Sequence, residues 1–192
     1  MDVGGASRAH PHMEVNGDAF LIRKWGEYIL VSVIDGLGHG QFAHKTSVSA
    51  LNYIEKHYDQ PLSSLFRGVG RACRSTRGVV MALVRFDWLN KTVSIGSIGN
   101  IEIRVFETGD VPKVVTKRGI IGTASVVPLI REHPWDERGI MVIHSDGIQT
   151  HWTWDEFSTH YGEPETVLAG IMPSRLSRDT DDATLVVVKK TV

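Results

Sequence analysis

An apolar, strand-like run that stops at an aspartate among glycines constrains the fold of this chain more than any other feature. Residues 31–40 read V-S-V-I-D-G-L-G-H-G, so Asp35 stands where the run ends and where glycines leave the backbone uncrowded. A strand of this kind must cover at least one face, whereas the carboxylate at its end stays accessible to a ligand. The run therefore predicts a sheet whose edge carries a chemically available acidic group.

Aspartates also flank other strand-like runs in the chain. Asp18 lies in N-G-D-A-F, Asp146 follows G-I-M-V-I-H-S, and Asp181 with Asp182 precedes A-T-L-V-V-V. Carboxylates brought together at the ends of neighbouring strands need a cation between them, and oxygen ligands suit Mg²⁺ or Mn²⁺. A single Asp-Gly pair would indicate only a turn, but the repeated strand context favours a site for a hard metal ion.

Composition limits the classes of protein to which the chain can belong. The 192 residues suffice for a sizeable core, and we expect a single domain over residues 1–192. A formal net charge of -1 argues against nucleic acid or an anionic membrane as a partner. Cys73 is the only cysteine, which excludes an intrachain disulfide and fits a reducing compartment. Without a signal-peptide core or an apolar stretch of roughly 20 residues, we expect a cytoplasmic protein.

Hydrophobic periodicity predicts strands and helices that segregate along the chain. Residues 18–34 read as a hairpin around W-G-E, and antiparallel pairing would bring Asp18 and Asp35 to one edge of the sheet. Segregated strand and helix runs favour an α+β layered domain. The remaining predicted elements are helices over 41–58 and from about 61 to 73, an antiparallel meander over 78–116, a strand over 139–144, a helix within 164–172 and a strand over 183–189.

The aspartates suit a two-metal centre. Asp35 and Asp146 are the strongest candidate ligands, because each stands at a strand end and is followed by a glycine that leaves room for a cation. Asp18 and the pair Asp181 and Asp182 complete the set of acidic groups. Two ions held in this way would lower the pKa of a bridging water and bind the oxygens of an in-line displacement. The arrangement is suited to hydrolysis of a phosphate ester.

Five motifs together resemble a known family. N-G-D-A-F, D-G-L-G-H-G, S-I-G-N, H-S-D-G and D-D-A-T occur in the order and approximate spacing of the metal-dependent protein phosphatases of type 2C. The D-G-x-G-H-G form and the short length resemble the bacterial branch that contains SpoIIE-like and stressosome phosphatases. The resemblance implies an α+β fold, a four-layer α-β-β-α sandwich with two antiparallel sheets flanked by helices. It also implies a pair of Mn²⁺ or Mg²⁺ ions at one end.

The resemblance also assigns roles to individual residues. Asp35 would bridge the two metals, and Asp18 would contribute directly or through a bound water. In D-D-A-T the first aspartate matches the family's metal position, so Asp181 is preferred to Asp182. Asp35 and Asp146 are in addition the acidic residues implied in catalysis. The complete set of implied metal ligands is Asp18, Asp35, the Gly36 carbonyl, Asp146 and Asp181.

The general acid departs from the family pattern. Eukaryotic members usually place a histidine directly after D-G, whereas this chain has Leu37 there and His39 two residues later. His39 is a candidate for protonating the leaving alkoxide, since imidazole titrates near the working pH; a solvated or structural loop histidine is the alternative. Eukaryotic members also carry a phosphate-binding arginine ahead of the first acidic motif. Residues 9–15 contain none, which leaves Arg8 or the metals for that role.

Several other residues invite a functional interpretation but have a simpler one. His10 and His12 have a spacing suited to chelation, yet the glycine-rich N-terminal segment is expected to be a mobile, solvated loop. Cys73 lies on the apolar face of a predicted helix and is expected to be a core residue. We expect Trp152 to pack against the sheet and Asn100 to serve a turn without a catalytic role.

The resemblance implies a metal-dependent serine/threonine phosphoprotein phosphatase. Its substrate would be a phosphorylated regulatory protein, of the stressosome-scaffold or anti-sigma-antagonist type. Two alternatives remain open. One is a catalytically silent relative that binds a partner through the same sandwich. The other is a nucleotide-binding regulator, because D-G-L-G-H-G before a helix superficially resembles the glycine box of GHKL-type ATPases; that interpretation leaves S-D-G and D-D-A-T unexplained.

Overall fold

The structure, a computed structural model, describes residues 1–106, 114–123, 126–136, 138–156, 172 and 174–189. Within these residues the helices are α1 (Gln41–Lys56) and α2 (Leu62–Ala72). The strands are β1 (Asp2–Arg8), β2 (Asp18–Trp25), β3 (Tyr28–Gly36), β4 (Val79–Asp87), β5 (Thr92–Ile98), β6 (Glu102–Phe106), β7 (Arg131–Pro134), β8 (Ile140–His144) and β9 (Ala183–Lys189).

The strands form two antiparallel sheets. The first has four strands in the order β1-β9-β8-β6, and the second has five in the order β2-β3-β4-β5-β7. Strand and helix runs segregate as the sequence predicts, and the α+β sandwich of two antiparallel sheets is confirmed. No helix in the described part of the chain is long and apolar enough to cross a bilayer.

The alternation of side chains along β3 explains the layering. Successive residues of a strand point to opposite faces. Val31 and Val33 therefore enter the core between the two sheets, where they meet residues such as Met141. Leu30 and Ile34 enter a second core beneath the helices. Because both faces of β3 are covered, its sequence is mainly apolar, and each face is fixed in one register.

The two helices cover the five-stranded sheet in different ways. In α2, Leu62, Leu65 and Val69 are buried at helical spacing, which matches the predicted amphipathic pattern. The apolar face of α1 is less regular: Ile54 is buried, whereas Phe42 is 68% exposed. The buried face of α1 consists mainly of small and hydroxyl residues, which allow the helix to approach the sheet closely: Ala43, Thr46, Ser47, Ala50 and Ile54.

A third core covers the outer face of the four-stranded sheet. Trp152 and Trp154 pack there with Val142 and Val187, so the predicted packing role of Trp152 is confirmed. Cys73 is likewise a core residue, and burial raises the pKa of its thiol to about 11. The helix predicted within 164–172 falls almost wholly outside the described residues.

Two strands differ from the sequence prediction. The segment containing β6 does not continue the predicted meander, because β6 pairs with β8 in the other sheet. The N-terminal segment predicted as mobile instead forms β1, which pairs along its whole length with β9. Its glycines are tolerated because β9 is buried throughout and supplies a continuous partner. The local apolar pattern could not indicate either pairing, since both join segments that are distant in sequence.

Candidate metal centre

The ends of four strands place the predicted acidic residues at one end of the sandwich. Asp18 opens β2 and is the direct cross-strand partner of Asp35 on β3, as the hairpin prediction requires. Asp146 follows β8, while Asp181 and Asp182 precede β9, and β8 pairs with β9. The two sheets therefore each contribute acidic groups to the same end of the sandwich.

A cleft of about 310 Å³ lies where these groups meet. Asp35, Asp146 and Asp181 line the cleft, and so do His39 and Asn100. Four of these five residues are ones that the sequence singles out for metal binding or catalysis. The cleft is therefore the part of the described structure where a ligand can contact several predicted site residues at once.

Asp35 is at the electrostatic centre of the acidic group. Burial, together with the nearby charges of Asp18, Asp146, Asp181 and Asp182, raises the pKa of its carboxyl to about 9. A carboxyl acid remains protonated near neutral pH when it is buried among like charges without a compensating cation. The environment of Asp35 thus favours a positive charge in the cleft.

Asp18 is buried below the cleft and held by the neighbouring sheet. Its side chain is 6% exposed, and its Oδ2 accepts a hydrogen bond of 2.6 Å from Ser145 Oγ. Ser145 Oγ in turn accepts the N–H of Thr184 at 3.0 Å. Burial raises the pKa of Asp18 to about 7, although the Ser145 hydrogen bond acts in the opposite direction. Strands of both sheets therefore fix the orientation of this carboxylate.

Asp181 and Asp182 are adjacent in sequence but differ in surroundings. Asp181 is partly buried and lines the cleft, and burial raises the pKa of its carboxyl. Asp182 is 2% exposed, and its Oδ1 accepts the backbone N–H of His10 at 2.9 Å. Its Oδ2 is buried without a hydrogen-bond partner among the described residues. The preference for Asp181 as the ligand stays a prediction, and its position in the cleft is compatible with it.

The donor set fits a hard divalent cation, although its side chains are not arranged around one. Among the described residues, no three His, Cys, Asp or Glu side chains stand close enough to hold a single ion. Three observations nevertheless favour a cation. The donors are carboxylate oxygens, which Mg²⁺ and Mn²⁺ prefer, and burial and mutual repulsion raise the pKa values of Asp18 and Asp35. Asp182 Oδ2 also has no hydrogen-bond partner among the described residues.

The backbone after Asp35 is packed too tightly for a side chain. At Gly36, a Cβ atom would collide with the backbone carbonyl of Ala43 on α1. The Gly36 N–H donates to the Gly17 carbonyl at 3.2 Å, which ties the β3 end to the segment before β2. Gly38 has a φ of 91°, a conformation that favours glycine. These constraints hold the loop in place beside the cleft, and the Gly36 carbonyl stays a predicted ligand.

His39 is exposed on the rim of the cleft, where its ring stacks on His10 at 5.8 Å between centroids. The His10 ring also lies 5.6 Å from that of His12. The prediction of a mobile, solvated loop is wrong for His10, because β1 and the hydrogen bond to Asp182 position it over the glycine-rich loop. The placement leaves His39 available to a ligand in the cleft, and its catalytic role stays a prediction.

Asn100 is a site residue that sequence reasoning missed. Its Nδ2 donates a hydrogen bond of 2.7 Å to Asp146 Oδ2, so it orients one of the predicted ligands. The sequence feature that could have indicated this role is the position of Asn100 just after β5, in S-I-G-N, where Gly99 has a φ of 105°. Arg8, considered for phosphate binding, is engaged elsewhere: its Nη2 donates to the Arg178 carbonyl at 2.8 Å, and it pairs with Asp179.

Two antiparallel sheets with acidic residues at the strand ends agree with the fold that the resemblance to the type 2C phosphatases implies. No family model matches the chain. Over 85 residues the sequence is 22% identical to phosphoserine phosphatase RsbX of Bacillus subtilis (strain 168), a match that covers 44% of this chain and 43% of that protein. The match thus spans less than half of this curated relative.

Solved structures extend the similarity to nearly the whole chain. One such structure comes from work on the bacterial stressosome as a modular system adapted to control secondary messenger signaling. It matches this chain with a TM-score of 0.90 and 28% identity, covering 97% of each chain. RsbX in complex with magnesium has a TM-score of 0.81 and 16% identity, covering 95% of this chain and 92% of that one. The PP2C phosphatase domain of Bacillus subtilis SpoIIE has a TM-score of 0.81 and 18% identity, covering 98% and 62%.

The similarity predicted from the five motifs is therefore confirmed. The chain has the fold of the metal-dependent protein phosphatases, and the proteins it resembles lie in the branch that contains RsbX and SpoIIE.

Proposed function

We propose that this protein is a metal-dependent serine/threonine phosphoprotein phosphatase. The observation that supports the proposal most directly is the cleft in which Asp35, Asp146 and Asp181 come together at the end of a type 2C-like sandwich. An acidic cleft repels a phosphate dianion unless cations are bound, so the same geometry argues for phosphate chemistry only with a divalent metal. The curated similarity to a phosphoserine phosphatase points to the same reaction.

The residues that would hold the ions are the predicted ligands: Asp18, Asp35, the Gly36 carbonyl, Asp146 and Asp181. When bound, Mn²⁺ or Mg²⁺ would lower the pKa of a coordinated water and neutralise charge on the phosphate. The chain's own contribution is to fix its carboxylates. Ser145 orients Asp18, and Asn100 orients Asp146, before any ligand arrives.

His39 is the proposed general acid. As the bond between phosphorus and the serine or threonine oxygen breaks, the leaving alkoxide needs a proton, and an exposed imidazole on the cleft rim is positioned to supply one. Replacement His39→Ala should slow hydrolysis of an alkyl phosphate and remove one limb of its pH-rate profile. An unchanged profile would show that another group donates the proton.

The proposed substrate is a phosphorylated regulatory protein of the stressosome-scaffold or anti-sigma-antagonist type, encountered in the cytoplasm. The similarity to RsbX and to a stressosome structure supports this class of partner. The cleft opens at the surface beside the exposed residues Gly38 and His39. A phosphoserine on a protruding segment of a folded partner is therefore a more suitable substrate than a small buried ligand.

The direct test is hydrolysis of p-nitrophenyl phosphate and of a phosphoserine peptide by the purified chain. We expect activity with added Mn²⁺, less or equal activity with Mg²⁺, and none in EDTA, with recovery when Mn²⁺ is restored. Full activity in EDTA would overturn the metal mechanism. ATP binding without any hydrolysis of phosphoesters would support the nucleotide-binding alternative, and partner binding without hydrolysis would support the catalytically silent one.

A further inference from the structure

A second cleft, of about 490 Å³, lies outside the acidic site, between α2 and the segment around residues 121–127. Its apolar lining includes Phe66 and Val126, and its polar lining includes three arginines. Arg67, Arg71 and Arg74 are spaced four and three residues apart, which places the first two on one face of α2 and the third just beyond its end. We call this second cleft, with its three arginines, the arginine cleft.

Within the part of the chain that the structure describes, the arginine cleft has no acidic partner. Its three arginines are exposed, and no ion pair between them and a carboxylate occurs among the described residues. The sequence explains why, because residues 60–86 and the facing residues 114–131 contain neither aspartate nor glutamate. In a chain with a net charge of -1, this is a local concentration of positive charge.

Arg77 extends this positive charge to the rim of the acidic cleft. Its guanidinium lies over the exposed ring of Phe42, 5.0 Å from the ring centroid. It also lies beside the glycine-rich loop, because a Cβ atom at Gly38 would stand 2.8 Å from Arg77 Nη1. Gly38 and its neighbour His39 line the acidic cleft. A basic surface therefore leads from α2 to the predicted site of hydrolysis.

We infer that the arginine cleft, with Arg77, is a docking surface for an acidic segment of the phosphoprotein substrate. That the partner is a phosphoprotein substrate rests on the proposed function. The position of the contact and the acidic character of the partner segment rest on charge complementarity. Exposed arginines that pair with no carboxylate among the described residues can pair with carboxylates of another protein, and such contacts select partners and speed encounter. The arginine cleft would select substrates by the residues around the phosphoserine, whereas the acidic cleft would bind the phosphoserine itself.

Two phosphoserine peptides of equal length test this inference, one flanked by aspartate and glutamate and the other by glycine and serine. At low salt we expect the wild-type protein to have a kcat/KM about tenfold higher for the acidic peptide, mainly through a lower KM. The double variant Arg71→Glu/Arg74→Glu should lose this preference, and Arg71→Gln/Arg74→Gln should lose part of it. Hydrolysis of p-nitrophenyl phosphate should stay unchanged in both variants.

A matched control is the double variant Arg23→Glu/Lys24→Glu, which makes the same change in net charge near the opposite end of β2 from Asp18. Both of its residues are exposed. This control should retain the preference for the acidic peptide. Thermal unfolding of all variants shows whether each is folded, and the glutamine variant keeps the test valid if the charge reversal destabilises α2.

A binding measurement separates this inference from the proposed function. We expect a fluorescein-labelled acidic peptide that carries no phosphate to bind the wild-type protein. It should bind the Arg71→Glu/Arg74→Glu variant about tenfold more weakly, and its binding to the wild-type protein should weaken at high salt. Arginine-dependent binding by a protein that hydrolyses no phosphoester would leave the docking surface standing and overturn the phosphatase. Equal kcat/KM for both peptides, or binding of single-stranded RNA in place of the acidic peptide, would overturn the docking surface.

Discussion

The acidic residues of the candidate site fall into two groups with different surroundings. Asp18 and Asp182 are buried, and each accepts a hydrogen bond from the chain itself, from Ser145 and from the His10 backbone respectively. Asp35, Asp146 and Asp181 line the open cleft. The first group is held by the framework, whereas the second faces the space where a ligand would bind.

The two groups therefore differ in how firmly their carboxylates are oriented and in how strongly they favour a bound cation. A buried carboxylate with a fixed donor cannot turn away, so the orientation of Asp18 is set before a ligand binds. Asp35 differs, because burial and the neighbouring acids raise its pKa to about 9. The cleft group thus carries the unfavourable charge, which a bound cation would relieve. Each prediction below tests one or both of these groups.

The largest effect is expected for Asp35→Asn. Changes to the outer-sphere partners of metal ligands typically alter affinity or activity by about 10–100-fold, so loss of a predicted ligand itself should lower Mn²⁺-dependent kcat/KM by more than about 100-fold. Without metal, the same change should raise the melting temperature, because it removes a buried acid among like charges. Glu27→Gln, an exposed change at the far turn of the hairpin, should alter neither quantity. Retained activity in Asp35→Asn would remove Asp35 from the metal centre.

The second expected effect is on the pH dependence of stability in EDTA. The pKa values of Asp18 and Asp35 rise from 3.8 to about 7 and about 9 on folding. The folded state therefore binds more protons than the unfolded state between these limits, and stability must fall as pH rises from about 4 to 9. The slope is up to about 1.4 kcal/mol per pH unit for each group. Urea unfolding at several pH values measures it.

Saturating Mn²⁺ should flatten this pH dependence by replacing the bound protons. The variant Asp35→Asn should lose the slope between pH 7 and 9 and keep only the share of Asp18, about half of the slope, between pH 4 and 7. A stability that increases with pH across the same range in EDTA would contradict the burial of these carboxyl groups.

A smaller effect is expected for Ser145→Ala, which acts on the framework group. The change removes the donor to Asp18 and leaves the buried Thr184 N–H without its acceptor, at a cost of about 1–3 kcal/mol. The affinity for Mn²⁺, measured by calorimetry, should fall by about tenfold. Ser94→Ala is the control, because Ser94 Oγ contacts only the exposed Glu132 at the edge of the sheet. Equal behaviour of the two variants would deny Ser145 an orienting role.

The smallest effect is expected for Asn100→Ala, which acts on the cleft group from outside. Asn100 is exposed, so water can replace its hydrogen bond to Asp146. We expect less than about a tenfold loss in kcat/KM and no change in melting temperature. Asn90→Ala, which removes a similar contact to Asp87 in a turn, should leave kcat/KM unaltered. A loss as large as that of Asp35→Asn would place Asn100 in direct contact with the reacting groups.

The sequence predicted features that depend on neighbours along the chain. The β2–β3 hairpin is an example, because a short turn sets its register and thereby places Asp18 opposite Asp35. The amphipathic face of α2 is another. The pairing of β1 with β9 could not be foreseen, since the glycine-rich β1 acquires its strand structure from a distant partner.

The site shows the same division. The acidic residues were predictable from their strand-end positions, and the cleft contains Asp35, Asp146 and Asp181 together. The contacts that orient them were not, because Ser145 and Asn100 act across distances of 127 and 46 positions in the sequence. Polar residues in turns have no periodicity that would distinguish an orienting group from a solvated one.

The pairing of β1 with β9 has a consequence for how the protein is made. His10 and Asp182 are hydrogen-bonded although they stand 172 positions apart, and Asp181 lies on the same late segment. A growing chain therefore carries the β2–β3 hairpin and its acids long before the ribosome delivers the strand that completes the centre. Contacts of such long range also slow folding. We expect the acidic residues to come together only once β9 has left the ribosome and paired with β1.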